Sequence, residues 1–187
     1  MKRFLTFICE ADMDEIIPTV NSKKITDRNQ FEQQLPETIT VNDLEEDSFF
    51  FKMLSKPDFQ RETSTWSKEK IVGFIRSFID GKLMPPILLW RKGDHIFVLD
   101  GAHRTSTLVC WVQDKYEEDE ESQKIRLEVN KSVGSYKSHC ESEPTDNGKI
   151  AKQSRRLASL AIPVQWFKGS ETEARELFDK INAGKKK

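Results

Sequence analysis

The clearest periodicity in the chain is carried by Ile71, Phe74, Ile75, Phe78 and Ile79, spaced i, i+3, i+4, i+7 and i+8. That spacing is one face of an α-helix. Ser67 supplies an N-cap oxygen, and Gly81 stands where a helix closes in the left-handed conformation. The predicted helix therefore covers about Lys68–Asp80, and Pro85-Pro86 blocks any continuation. Ile87–Trp90 then reads as a strand, Arg91–Asp94 as a tight turn and His95–Leu99 as the returning strand. Phe97-Val98-Leu99 is an unbroken apolar run, the end of a buried strand. Asp100-Gly101 breaks it, and from Ala102 to about Lys115 the pattern is helical, with Leu108, Val109 and Trp111 apolar.

The flanks are less regular. Residues 1–47 read as an N-terminal extension packed across the domain, with weak strand patterns at Phe4–Ile8 and Thr38–Val41. Apolar density rises at Phe49–Leu54, and Lys56–Glu62 follows as a turn-rich loop before Trp66. Residues 114–156 form a charged insertion: Glu117–Glu121 is a run of acids that stays solvated because clustered carboxylates repel one another. A short hairpin is expected near Ile125–Val133, and a helix over Ile150–Leu160. Ile162–Phe167 is predicted as a strand, at an edge or led by Pro163. Ser170-x-x-Glu173 is a capping box, with Ala174, Leu177, Phe178 and Ile181 on one helical face and Gly184 at the end. The pattern predicts an α+β domain over residues 48–184, a small mixed sheet flanked by helices.

Composition narrows the function classes. Of the 187 residues 33% are charged, yet the formal net charge is −1, so no overall basic field drives non-specific nucleic-acid binding. The hydrophobic share of 36% points to a modest core with solvated insertions. Cys9, Cys110 and Cys140 are far apart and form no C-x-x-C pair, which favours free thiols in a reducing compartment. The apolar run after Met1-Lys2-Arg3 ends at Cys9-Glu10, too early for a signal peptide, and no run of about 18 apolar residues offers a membrane span. A cytoplasmic location is expected. No Gly-Lys-Ser/Thr loop, zinc motif or internal repeat occurs.

The candidate chemistry lies at the strand-to-helix junction Asp100-Gly101-Ala102-His103-Arg104-Thr105. The first turn of a helix leaves backbone N–H groups without intrahelical partners, at the positive end of the helix dipole. Gly101 can take a positive φ or let a phosphate approach closely, and Arg104 adds a fixed cation. Each residue also has a plainer role: Asp100 as an N-cap, Arg104 as half of an ion pair, His103 as a packed imidazole.

Three blocks in this order, F-Q-R-E (Phe59–Glu62) before Trp66, P-P-I-L-L leading into V-L-D-G-A-H-R, and L-F-D-K-I-N-A-G (Leu177–Gly184), resemble the ParB/sulfiredoxin-like superfamily. They are most similar to the domain in the N-terminal half of GmrSD-type modification-dependent restriction enzymes and of the phosphorothioation-linked defence protein SspE. The resemblance implies a domain that binds a nucleoside triphosphate with Mg²⁺, in several members hydrolyses it, and couples this to DNA recognition or cleavage by a downstream nuclease domain or subunit. Carried over by position, Asp100, Gly101, Ala102, His103, Arg104 and Thr105 form the phosphate-binding block, and Gln60 and Arg61 reach the same cleft. Asp100, His103 and Arg104 are the candidate catalytic residues, with Asp100 also the candidate Mg²⁺ ligand. Many relatives carry Gln at the position of Ala102, and sulfiredoxins a nucleophilic cysteine, so sulfiredoxin chemistry is excluded here. Two alternatives stand beside this reading. One is a metal-dependent nuclease using Asp58, Glu62, Asp100 and His103. The other is a ParB-like interaction module without turnover, which Ala102 favours.

Overall fold

The computed structural model describes residues 17–25, 35–60, 66–140, 157 and 159–183. Their strands are β1 (Thr19–Val20), β2 (Thr38–Thr40), β3 (Leu54–Pro57), β4 (Ile87–Lys92), β5 (His95–Asp100) and β6 (Ala161–Phe167). They form one six-stranded sheet in the order β1-β3-β5-β4-β6-β2. β5 is parallel to β3 and antiparallel to β4, β6 runs parallel to β4, and β2 closes the far edge antiparallel to β6. The helices are α1 (Phe49–Met53), α2 (Lys68–Ile79), α3 (Ala102–Gln113), α4 (Glu120–Val133), α5 (Tyr136–Cys140) and α6 (Glu171–Ala183). The architecture is the expected α+β fold with a mixed sheet.

The period of two along the central strands sorts their side chains into two cores. Ile87 and Leu89 of β4, with Ile96 and Val98 of β5, join residues of α2, α3 and α4 in the larger cluster. Trp90, Phe97 and Leu99 point the other way and meet Ala174 of α6, with Leu88, Phe59 and Phe167 at its margin. β5 is thus covered on both faces, which is why its apolar run is unbroken. Ser67 caps α2, its Oγ accepting from the Lys70 amide at 3.4 Å, and Gly81 closes the helix at φ 70°. At α6 the Glu173 carboxylate accepts from the Ser170 amide at 2.7 Å, while the Glu173 amide donates to Ser170 Oγ.

Four expectations are corrected. Ile125–Val133 is helical rather than a hairpin: Asp119 caps α4 by accepting from the amides of Glu121 and Ser122, and Ile125 and Val129 are buried one turn apart. The acids that read as a solvated run therefore stand at the favourable, positive end of a helix. Lys56 and Pro57, expected in a loop, end strand β3. β6 is not an edge, because β2 covers its outer side and the Val164 amide donates to the Glu37 carbonyl at 2.8 Å. The turn between β4 and β5 shrinks to Gly93-Asp94, with Arg91 and Lys92 in the strand. The patterns at Phe4–Ile8 and Gly184, and nearly all of Ile150–Leu160, lie outside the described residues.

The capping box gives a pH prediction. Hydrogen bonds from the Ser170 backbone and then its hydroxyl hold the Glu173 carboxyl below its ordinary pKa. Its contribution is therefore complete above the ordinary glutamate range and is lost as pH falls through the lower, folded value. Urea midpoints of wild type and Glu173→Gln, compared between pH 7 and pH 3, should converge on acidification.

Candidate functional site

Because β3 and β5 are parallel, Pro57 and Asp100 leave the sheet on the same side. β4 is antiparallel and pairs its Leu88 with Asp100, so Pro85-Pro86, just ahead of β4, arrive there too. In open sheets of this kind ligands bind beyond the carboxyl ends of parallel strands. The junction Asp100–Arg104 sits at this end of the sheet.

Gly101 is the N-cap residue of α3, in the left-handed region at φ 93°, and as a glycine it makes no side-chain cap hydrogen bond. Asp100 is therefore not an N-cap. Its carboxylate accepts from Arg104 Nη2 at 2.9 Å, a pair in which the arginine side chain is 12% exposed and the aspartate 30%. Arg104 Nη1 also donates to the carbonyls of Pro85 and Pro86, at 2.5 and 3.1 Å. One guanidinium thus ties the approach to β4, the end of β5 and the start of α3. A Cβ on Gly101 would lie 3.0 Å from Arg104 Nη2 and 3.2 Å from Ile87 Cγ1, so the guanidinium rests against bare backbone.

The next positions divide by face. Ala102 is buried in the larger core and offers a ligand only its backbone. Thr105 and Ser106 are buried, their hydroxyls donating to the carbonyls of Gly101 and Ala102, which satisfies a polar group inside a helix. The Thr105 hydroxyl therefore faces the interior. His103 is half-buried and its imidazole lies parallel to the Trp66 indole, 7° between planes and 5.8 Å between centroids.

The loop after β3 supplies the opposite side. Phe59 packs edge-on to Phe178 of α6 at 5.6 Å, with the Arg175 guanidinium 4.5 Å from its ring centre. Asp58 turns toward the same helix, accepting from Ser22 Oγ at 3.2 Å and lying 3.8 Å from Arg175. Gln60 follows this anchor, and its Oε1 is buried without a hydrogen-bond partner among the described residues. A buried acceptor left unpaired costs about 1–3 kcal/mol, so it marks a place where a donor belongs. Arg61 and Glu62 lie outside the described residues.

Among the described residues no group of three or more His, Cys, Asp or Glu side chains could hold a metal. Asp58 and Asp100, two carboxylates of the nuclease alternative, each face a different arginine. His139, beside Cys140, bonds the Val133 carbonyl and packs on Trp111 instead. No described helix is long and apolar enough to cross a membrane.

With this geometry in place, comparison with known families is decisive. The model of the GmrSD restriction endonuclease N-terminal domain matches residues 37–187. The chain belongs to that family. No curated protein and no solved structure is similar enough to count as a match. As a GmrSD N-terminal domain, the chain is of a kind that works within restriction endonucleases. The matched region takes in β2 to α6 and begins ahead of residue 48, the boundary expected for the domain. β2 is thus part of the family fold, as its pairing with β6 requires.

Pattern reading missed Trp66, Lys70 and the two proline carbonyls. Lys70 Nζ lies 4.4 Å from the Trp66 ring centre, and Phe74 meets the indole edge-on at 5.4 Å. The available signal was the position of Trp66 just before the N-cap, where an apolar residue commonly packs onto the first turns of its helix.

Gly101→Ala should be destabilising on two counts, the left-handed backbone and the contact with Arg104. The expected loss is about 1–3 kcal/mol, read from urea unfolding. A loss no larger than for Gly73→Ala, in open space within α2, would mean the junction tolerates a side chain.

Proposed function

We propose that this GmrSD N-terminal domain binds a nucleoside triphosphate, with Mg²⁺, at the open end of α3, and hydrolyses it in step with DNA cleavage by a partner nuclease domain. The observation that carries the reading is the start of α3 behind a left-handed glycine, which brings no capping side chain of its own, at the carboxyl ends of two parallel strands. An anion there meets backbone N–H groups and the positive end of the helix dipole.

The residues divide the work. Gly101 and the α3 backbone receive phosphate oxygens, and Gln60 faces the opposite side of the bound nucleotide. Arg104 raises the local potential while its hydrogen bonds keep the junction in shape. His103 stands where it can donate to a phosphate oxygen, and Arg61 offsets charge that develops on the phosphates. Mg²⁺ commonly takes one or two carboxylates plus phosphate and water oxygens, a demand that Asp100 can meet without a cluster of acids. The ion would neutralise charge growing on the phosphates. In hydrolysis a water oxygen bonds to the terminal phosphorus, the bond from that phosphorus to the bridging oxygen breaks, and nucleoside diphosphate, inorganic phosphate and the proton from water are released.

A second reading has its own observation. Ala102 is buried, so its position sends no side chain toward a nucleophilic water. A domain that binds nucleotide and signals by occupancy alone is consistent with this.

Titration with ATP, GTP and CTP, with and without Mg²⁺, followed by phosphate release, separates the readings. At least one triphosphate should bind more tightly with Mg²⁺, and His103→Ala should weaken it by about tenfold with the fold intact, as expected for a charge-assisted hydrogen bond. Binding without phosphate release selects the module. Metal-dependent DNA nicking without nucleotide selects the nuclease. If no triphosphate binds, the nucleotide reading is wrong.

A further inference from the structure

Residues 17–25 precede the residues that the family model matches, yet they are built into the sheet and into both cores. Ile17 is fully buried in the larger cluster, while Val20 and Ile25 pack on the smaller one, as Phe59 does. Between them β1 lies parallel to β3 at the sheet edge, Thr19 beside Lys56 and Val20 beside Pro57. The Lys56 amide donates to the Pro18 carbonyl at 2.9 Å.

Behind this strand a ring of polar groups closes. Ser22 is buried in a short 3-10 turn; its hydroxyl donates to Asp58 Oδ1 at 3.2 Å, and its carbonyl accepts from Lys92 Nζ at 2.9 Å. Lys92 also donates to Glu171 at 2.9 Å, and Arg175 lies 3.6 Å from Glu171 and 3.8 Å from Asp58. The Lys92 and Glu171 side chains are only 13% and 16% exposed, so their hydrogen bonds stand in for lost water. Asp58 carries the ring onto the loop after β3. Two residues on, the Gln60 amide donates to the Pro57 carbonyl and completes that turn.

We infer that residues 17–25 are a strap that locks the loop after β3, docking and releasing as one unit with Pro57–Gln60 while the rest of the sheet stays folded. A two-residue edge strand has little backbone pairing to lose, and such elements open below the free energy of global unfolding. On release the Asp58 carboxylate loses the Ser22 hydroxyl, Lys92 loses the Ser22 carbonyl, and the cluster that seats Phe59 loses Val20 and Ile25. The loop then has no reason to keep its turn. The inference holds whether or not the domain binds a nucleotide, and it bears on that reading because Gln60 rides on the same loop.

Native-state hydrogen exchange of the whole chain tests it, since the Lys56 amide reports the strap, the Gln60 amide the loop, and the Val109 amide, buried in the middle of α3, the whole domain. Lys56 and Gln60 should exchange through a common opening, faster than Val109. Ser22→Ala, which removes one hydrogen bond to a charged group, should speed both by about tenfold, and Lys92→Met should act in the same direction. Ile125→Val, on the buried face of α4, should speed Val109 several-fold and leave Lys56 and Gln60 as they were, because that packing survives in the strap-open form. If Lys56 responds to Ile125→Val as Val109 does, the strap opens only with the whole domain and the inference is wrong. It is equally wrong if Ser22→Ala and Lys92→Met speed Lys56 without Gln60, since the loop then keeps its shape on its own.

Discussion

The junction depends on one guanidinium. Arg104 donates to the carbonyls of Pro85 and Pro86 and to the Asp100 carboxylate, with little of its side chain exposed. A cation withdrawn from water must recover its hydration as hydrogen bonds, and a planar fork suits acceptors that converge from several segments. Here those segments are the approach to β4, the end of β5 and the first turn of α3. The bonds are possible because Gly101 has no Cβ to keep the guanidinium off the backbone.

This arrangement assigns the arginine a different weight from the one its motif suggests. Read in isolation, D-G-A-H-R offers a cation for a phosphate. In the fold much of that cation's hydrogen bonding is directed inward, to Asp100 and to the carbonyls of Pro85 and Pro86. Arg104 thereby fixes how the approach to β4, the end of β5 and the start of α3 meet.

The two cores support the site from opposite sides of the sheet. On one face α2 brings Trp66 against His103. On the other, α6 seats Phe59 between Phe178 and Arg175, which sets the loop carrying Gln60. Phe178, from the Leu177–Gly184 block of the family resemblance, thus contributes packing to that loop. Phe178 is buried, whereas Asp179 and Lys180 face solvent.

Local chemistry in the chain was enough for α2, α3, α6, the β4–β5 hairpin and the glycine-led junction, since each is written in apolar period, caps or turn residues within a short window. It was not enough for β3, whose Ser55, Lys56 and Pro57 carry no alternation and become a strand only by pairing with β1 and β5. Nor could it separate a hairpin from a helix at Ile125–Val133, because a short apolar spacing fits both until a neighbouring helix buries one face. Among the candidate residues, Asp100–Arg104 were read from the strand–turn–helix pattern and Gln60 from the family resemblance. Which partners their side chains find within the protein was decided by contacts between residues far apart in sequence: Arg104 with Pro85 and Pro86, His103 with Trp66, and Asp58 with Arg175. Side-chain direction at a junction is set by what packs against it, and sequence windows do not contain that information.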